Sequence, residues 1–207
     1  MVEKFIHKVN SVAYGDGMSP RDTLSAIDWI QASFRALTKG GPQAIKVEAI
    51  AKDLGVSKGS FYWHFKDVGA LKKAMLEHWL EIATDSIVQR VQSTSEKPRE
   101  QLLELISIAT SDIAKPYGGR LAEPAIREWA RYDSDAADTL AIVDRRRLKF
   151  LRSLFKQLGI PGPLSSAYAS GIYGAIIGVE QLSKKVASDK STGLMCMLDL
   201  MLKSSKS

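Results

Sequence analysis

Apolar residues recur every three to four positions along most of the chain, a spacing typical of amphipathic α-helices. The first stripe consists of Leu24, Ile27, Ile30, Phe34 and Leu37. The segment SPRD at 19–22 precedes it. It offers a serine for the N-cap, a proline for the first helical position and an acid three residues after the cap. We therefore predict a first helix that begins at Ser19 and ends before the GGP sequence at 40–42.

A second, shorter stripe is followed at once by a candidate turn. Its apolar positions are Val47, Ile50, Ala51 and Leu54. Gly55 follows directly, where a left-handed helix C-terminus favours glycine. Ser57 is then a candidate N-cap for a third helix that starts near Lys58. Asp67 is a candidate cap for a long fourth helix that extends toward Pro98.

The rest of the chain continues the helical pattern, and no run of alternating residues predicts a strand. We place further helices near 99–114, 121–131, 135–158, 164–186 and 192–203. The predicted fold class is all-α, with an N-terminal helix-turn-helix head and a C-terminal helical-bundle body. The predicted domains are an N-terminal arm at 1–18, the head at 19–66, a connecting helix and linker at 67–98, and the body at 99–207.

Composition narrows the class of protein. The 207 residues are 45% hydrophobic, which suffices for a sizeable core. A single cysteine, Cys196, can form no disulfide within the chain, and a reducing cytoplasm is the simplest location. The longest weakly polar run falls short of a membrane span, and the first residues are too polar for a signal peptide. We expect a cytoplasmic protein with no membrane partner.

Five ring-bearing residues, FYWHF at 61–65, stand in a row after the candidate turn. On a helical wheel Phe61 and Phe65 point the same way and are predicted to be core residues. Tyr62 and Trp63 point away from that side, and His64 lies at its boundary. Two short helices joined by a tight turn form a helix-turn-helix, whose second helix enters the major groove of DNA.

The chemistry around this turn suits a polyanion. Between residues 35 and 66 there are six basic residues and only two acidic ones. A tyrosine can donate to a phosphate, and a tryptophan offers apolar contact to a thymine methyl. The candidate DNA-binding residues are Lys46, Ser57, Lys58, Gly59, Ser60, Tyr62, Trp63, His64 and Lys66. The alternative is an ordinary helical hairpin with a solvated basic face.

The segment VEAIAKDLGVSKGSFYWHF at 47–65, with Arg21 before it and Leu71 after it, resembles the tetracycline-repressor (TetR) family of bacterial regulators. The resemblance implies a homodimer on a double-stranded DNA operator, one recognition helix per half-site and a small-molecule pocket in the body. It also implies DNA contacts by residues 58–60 and 62–64. The family often has a hydroxyl residue where Lys46 stands and a lysine where Val68 stands, so Lys46 or Lys66 would supply the phosphate contact.

The body suggests a sensor and a dimer contact. Candidate ligand-binding residues are Trp79, Ile106, Ile113, Tyr117, Ile126, Trp129 and Leu151. Plain core packing is the alternative for each. Small residues line one stripe of the 164–186 helix, which permits close helix approach. With the 192–203 helix it would form a homodimer interface, the alternative being a monomeric bundle. The basic cluster at 145–149 is interpreted as a solvated helix face.

Nothing in the sequence favours an enzyme. The three histidines lie in separate segments, and no glycine-rich phosphate loop or nucleophile elbow is present. We expect neither a cofactor nor a metal. The functional hypothesis is a ligand-responsive, sequence-specific regulator of transcription, a repressor released from a palindromic operator by a small apolar effector. The alternative is an architectural DNA-binding protein or dimerisation scaffold without ligand control.

Overall fold

The computed structural model describes residues 24–111, 115–182 and 189–204, and within these ranges all regular secondary structure is helical. The predicted arm at 1–18, the SPRD cap at 19–22 and Ile113 lie outside the described residues. The chain divides into two compact units, residues 1–75 and 76–207. The division falls inside one helix, so the boundaries proposed at residues 66 and 98 stay predictions.

The first helix of the head, α1, spans Ala26–Gly40. It begins later than predicted, because Ser25 is extended and forms a capping box with Asp28. The Asp28 carboxylate accepts from the Ser25 backbone N–H at 2.8 Å, and the Asp28 N–H donates to Ser25 Oγ. This reciprocal pair satisfies N–H groups that would otherwise lack a partner at the helix start. The prediction of a start at Ser19 is therefore wrong for the helix that carries Phe34.

A 3₁₀ turn, two short helices and a longer helix follow, and the longer helix contains the boundary between the two units. They are the 3₁₀ turn Pro42–Ala44, α2 (Val47–Leu54), α3 (Lys58–Phe61) and α4 (Val68–Leu80). Asp67 caps α4, since its carboxylate accepts from the Ala70 N–H at 2.7 Å. The head core is aromatic and aliphatic, with Trp29, Phe34, Leu37, Ile50, Phe61 and Leu71 almost fully buried.

The body begins with a break in the helical ladder. After α4, a π-segment covers Glu81–Asp85, where the Ser86 N–H donates to the Glu81 carbonyl five residues earlier. The chain continues as α5 (Ser86–Thr94). The sequence predicted one uninterrupted helix here. A π-bulge adds a residue to one turn and is often found at functional sites.

Five further α-helices and two 3₁₀ turns, Lys115–Tyr117 and Gly119–Leu121, complete the described body. The α-helices are α6 (Pro98–Thr110), α7 (Ala122–Trp129), α8 (Ser134–Gln157), α9 (Gly162–Gln181) and α10 (Lys190–Ser204). The central helix α8 packs against α6, α7 and α9, and α10 packs against α6 and α9. Two helices end earlier than predicted, since Ser111 and Leu182 are both extended. No described helix is long and apolar enough to cross a bilayer.

Candidate DNA-binding surface and body sites

The turn between α2 and α3 is set by one glycine. Gly55 has φ 72° and ψ 29°, the left-handed conformation that ends a helix. The Val56 N–H then donates to the Ala51 carbonyl at 3.0 Å, which closes the end of α2. Lys58 starts α3 only three residues after Gly55. The structure thus confirms the turn of the predicted helix-turn-helix.

The aromatic run divides into inward and outward residues as predicted. Phe61 is fully buried and its ring meets Trp29 edge-on, with the two centroids 5.3 Å apart. Phe65 is buried beside it. Tyr62 and Trp63 are 63% and 82% exposed, which is unusual for side chains of this size. Outward-facing rings of this kind are available to stack on or contact a partner.

α3 is shorter than the helical wheel over 61–65 assumed, although the inward and outward faces are as predicted. α3 ends at Phe61, and Tyr62, Trp63 and His64 follow in a tight turn. Their N–H groups bond the carbonyls three residues back, as in the His64 N–H to Phe61 carbonyl bond of 3.0 Å. These tighter bonds replace the α-helical pattern at the helix end.

Ser57 occupies the N-cap position of α3, but its hydroxyl makes no capping bond there. The predicted capping role of Ser57 is therefore wrong. The side chain is exposed. Gly59 is exposed as well, and a Cβ added there would meet only Ser57 Oγ, at an ordinary 3.6 Å. The packing of the head does not require glycine at this position, and the predicted DNA contact of Gly59 stays a prediction.

Both acidic residues of the basic segment are paired. Lys58 Nζ lies 2.7 Å from Glu48, and Arg35 lies 2.6 Å from Asp53. The hydrogen bond from Lys58, with the charge of the lysine, lowers the pKa of Glu48. Four exposed lysines of the segment form no salt bridge in the part of the chain that the structure describes: Lys39, Lys46, Lys52 and Lys66. An unbalanced positive surface suits a phosphate backbone.

His64 is half-buried at the edge of this surface. Burial lowers the pKa of His64, and the Leu24 backbone and the Asp28 carboxylate only partly oppose that effect. The imidazole is therefore neutral at pH 7. A phosphate close to His64 in a DNA complex would oppose this shift, because a nearby negative charge favours the imidazolium.

Comparison with known proteins identifies the head. Residues 30–75 match the family model of bacterial regulatory proteins, tetR family. The head, over residues 30–75, is therefore similar to the DNA-binding domain of the tetR family. The match covers α2, α3 and the turn between them, so the aromatic and lysine surface described above is that of a TetR-type DNA-binding domain. The HTH-type transcriptional regulator YerO of Bacillus subtilis is 31% identical to the chain over 75 residues.

The similarity to YerO is confined to part of each protein. It covers 36% of this chain and 26% of YerO. Solved structures extend the likeness of fold to the body. A Rhodococcus regulator has a TM-score of 0.67 at 17% identity, covering 88% of this chain and 96% of its own. A TetR-family regulator from Agrobacterium tumefaciens has a TM-score of 0.68 at 16% identity, covering 87% and 96%. These relatives are transcriptional regulators, not enzymes.

The predicted ligand-binding residues are largely core residues. Those buried in the body are Trp79, Ile106, Ile126, Trp129 and Leu151. Ile106 and Leu151 belong to the same apolar cluster as Phe155 and Ile172. Tyr117 is half-buried, and its hydroxyl lies 2.8 Å from His78 Nε2. None of these side chains lines the cavity described below, so their role in ligand binding stays a prediction.

The interpretation of 145–149 as a solvated helix face is wrong for Arg147. Its guanidinium donates to both Glu123 carboxylate oxygens at 2.8 Å and to the Ala83 carbonyl at 2.9 Å. It also lies over the Trp79 ring. The sequence did contain a signal that Arg147 faces inward, because Arg147 falls on the same helical stripe as the buried Val143 and Leu151.

Arg147 is part of a wider network of half-buried side chains. Arg127 donates to Glu123 at 2.9 Å and to Asp144 at 2.8 Å, and the Tyr173 hydroxyl donates to Asp144 at 2.7 Å. Burial opposes ionisation of Glu123, but Arg147 and Arg127 outweigh it and lower the pKa of Glu123. Burial raises the pKa of Tyr173 to about 12. The network joins α7, α8 and α9 to the π-segment.

A cavity of about 470 Å³ opens between the π-segment with α5 and the middle of α8. Its lining residues are Thr84, Asp85, Val88, Gln89, Arg146, Lys149, Phe150 and Ser153. The sequence analysis singled out none of them as a ligand contact. They stand on two segments some sixty residues apart, and only the packing of α8 on the π-segment brings them together.

The candidate dimer helices have an exposed face. On α9, Ala167, Gly174 and Gly178 are exposed, and nothing lies within 4 Å of a Cβ added at either glycine. Gly171 differs, because a Cβ there would meet the Met201 methyl at 3.1 Å on α10 of the same chain. The small residue at 171 therefore serves packing between α9 and α10.

Proposed function

We propose that this protein is a DNA-binding regulator of transcription that acts as a homodimer on a palindromic operator. The single observation that carries the proposal is the pair of exposed aromatic side chains, Tyr62 and Trp63, beside a capped Gly55 turn and four unbalanced lysines. A free-standing head would not keep two such rings in water without a partner surface for them.

The roles within this surface follow from chemistry. We assign Tyr62 to the sugar-phosphate backbone, and Lys46 and Lys66 to phosphates. Trp63 and Ser60 are assigned to base edges in the major groove. Ser57, Lys58 and Gly59 would lie close to the backbone. Lys58 must exchange its bond with Glu48 for a phosphate, or keep it and act only in positioning the turn.

The dimer would form through α9 and α10. The exposed small residues of α9 allow two helices to approach closely. On α10, Cys196 and Leu200 are exposed on the side away from the buried Leu194 and Leu198. Leu200 is 68% exposed, which favours cover by a partner helix. Two reading heads would then contact half-sites about one helical turn apart.

The body is proposed to sense a small molecule and to release DNA, which makes the protein a repressor. One structural neighbour, a regulator from Saccharomonospora viridis, was solved in complex with choline, at a TM-score of 0.67 and 15% identity. It supports a ligand-binding body without indicating which ligand this chain takes. A hundredfold loss of DNA affinity requires about 2.7 kcal/mol of coupling, within the usual range of allosteric effects.

Selection from random duplexes tests the proposal. The full chain is expected to enrich a palindrome, and fluorescence anisotropy should show at least about a thousandfold preference over scrambled DNA at physiological salt. Sedimentation should show a dimer with and without DNA. Binding with no sequence preference would favour the alternative, an architectural protein. A monomer in both states would contradict the dimer.

A further inference from the structure

The cavity between the π-segment and α8 has walls of two kinds. Val88 and Phe150 supply apolar surface, whereas Arg146 and Lys149 stand on the α8 side with positive charge. Asp85 is the one acidic residue among the described lining residues. The lining therefore carries a net positive charge. The cavity is an open groove rather than an enclosed pocket, and its volume of about 470 Å³ is large enough for a small molecule.

The two cations are differently held. Arg146 is fixed by Asp85, because its Nη1 donates to both carboxylate oxygens at 2.9 and 2.7 Å. A guanidinium has five N–H donors, so this pairing orients Arg146 and leaves donors for a second acceptor. Lys149 forms no ion pair among the described residues. An oriented arginine beside an unneutralised lysine is a suitable arrangement for one anionic group.

A buried, uncharged hydroxyl, that of Thr84, belongs to the residues that line the cavity. Thr84 is only 1% exposed and lines the cavity, and its Oγ1 has no hydrogen-bond partner within the described structure. Buried hydroxyls are normally bonded, often to the helical carbonyl four residues back. The π-segment disturbs that ladder at Thr84. This oxygen is itself shielded from the groove, so a ligand could bond to it only after a shift of the π-segment.

We propose that this cavity binds an amphipathic anion, with its charged group at Arg146 and Lys149 and its apolar body against Val88 and Phe150. The inference refines the sensing role given under Proposed function and rests on it only for the consequence, the release of DNA. An apolar effector without a charge would leave both cations unused.

The site lies beside a point where the body is held together. Thr84 follows Ala83, whose carbonyl accepts from Arg147 of the half-buried network. A ligand that binds Arg146, which is paired with Asp85, therefore acts on the same π-segment that Arg147 holds through Ala83. Occupancy of the cavity would shift the π-segment only if the ligand binds one of its arrangements better.

The experiment uses a pair of fluorescent probes that differ in charge. One is 8-anilino-1-naphthalenesulfonate, an aromatic anion, and the other is N-phenyl-1-naphthylamine, the same ring system without the sulfonate. Each is titrated against the full chain and four variants. Arg146→Met and Lys149→Met remove the cations, and Val88→Trp fills the cavity. Arg145→Met is the matched control, since Arg145 is an exposed neighbour on α8 that does not line the cavity.

We expect Arg146→Met and Lys149→Met each to weaken the sulfonate probe about tenfold or more, the usual effect of losing a charge-assisted hydrogen bond. Arg145→Met should leave its affinity unchanged, and the neutral probe should bind all three methionine variants alike. Val88→Trp should abolish binding of both probes. Thermal unfolding checks each variant. If Arg146→Met fails to fold because its ion pair with Asp85 is lost, Lys149→Met, which breaks no ion pair, decides whether the cations bind the sulfonate.

Two results would overturn the proposal. If Arg145→Met weakens the sulfonate probe as much as Arg146→Met, the attraction is nonspecific. If Val88→Trp leaves binding intact, the probe binds elsewhere. A separate measurement, operator affinity with and without saturating probe, isolates the sensing role. Binding at the cavity with unchanged operator affinity would support the anion site and contradict ligand control.

Discussion

Phe61 and Trp63 are two residues apart, yet replacing each by alanine should damage different properties. Phe61 is fully buried, with the rings of Trp29, Phe65 and Tyr62 at centroid distances between 5.2 and 5.8 Å. Trp63 is 82% exposed. We expect Phe61→Ala to destabilise the head, and Trp63→Ala to weaken DNA binding in a head that stays folded.

The magnitude follows from burial. A fully buried phenylalanine changed to alanine costs about 3–5 kcal/mol, through lost transfer energy and the cavity left behind. The edge-on contact with Trp29 adds to the loss, since such aromatic pairs contribute about 0.5–1.5 kcal/mol beyond their area. The upper half of the range is therefore expected. Trp63→Ala removes no packing, so the free energy of unfolding should change by less than about 0.5 kcal/mol.

Two assays separate the effects. Amide hydrogen exchange, read on peptides from α2 and α4, reports the stability of the head apart from the body. Protection there should fall by a factor of roughly a hundred or more in Phe61→Ala and stay unchanged in Trp63→Ala. Anisotropy on the selected operator should show a loss of about 1–3 kcal/mol for Trp63→Ala, with relaxed preference at one base position.

One result would refute this reasoning. If Phe61→Ala keeps full exchange protection in the head but loses DNA binding, Phe61 contacts DNA and the assignment of faces is wrong. Tyr62→Ala is the internal control. It is exposed like Trp63 but assigned to the backbone, so it should weaken binding to all sequences by a similar factor.

Three further predictions concern stability. Gly55→Ala should lower the free energy of unfolding of the head by about 1–2 kcal/mol, because φ is 72° at Gly55. Gly162→Ala should cause no such loss, because φ is not positive at Gly162 and nothing lies within 4 Å of an added Cβ. Urea unfolding measures both variants. Glu123→Gln should cost the body roughly 3 kcal/mol, because Arg147 loses its carboxylate partner and Arg127 keeps only Asp144. Glu128→Gln, at an exposed residue of the same helix, should be nearly neutral. Arg147 and Arg127 outweigh the effect of burial and hold the pKa of Glu123 below its ordinary value. The stabilising effect of Glu123 is therefore present above the unfolded-state pKa of about 4.3 and is lost as the pH falls through the folded-state pKa. Thermal melts should show a steeper loss of stability below about pH 4 in the wild type than in Glu123→Gln.

The DNA-reading head could be predicted in most of its features because its signals are local. A glycine directly after an apolar stripe specifies the left-handed turn at Gly55, since only glycine adopts that conformation without strain. The side on which each aromatic residue falls depends on helical period alone. That is why Phe61 and Phe65 were assigned to the core, and Tyr62 and Trp63 to the surface, even though α3 stops at Phe61.

Local signals also misled where two compete. Ser19 and Ser25 both precede an acid three residues later, and only Ser25 forms the capping box that starts α1. Ser57 stands at the right place for a cap, yet its hydroxyl makes no bond to the helix. Propensity identifies candidates for such positions, and the surrounding geometry selects among them.

The sequence by itself determined the helical class, the head with its turn, and the split of its aromatic side chains, because each depends on neighbours within a few residues. Only the tertiary structure decided the half-buried network and the cavity. Arg147 meets Glu123 and Ala83 across 24 and 64 positions, and Arg146 meets Asp85 across 61. The helical stripe through Val143 and Leu151 indicates that Arg147 lies on the inner side of α8. Its partners could not be predicted, because Glu123 and Ala83 lie on distant segments that only the packing of the helices brings close.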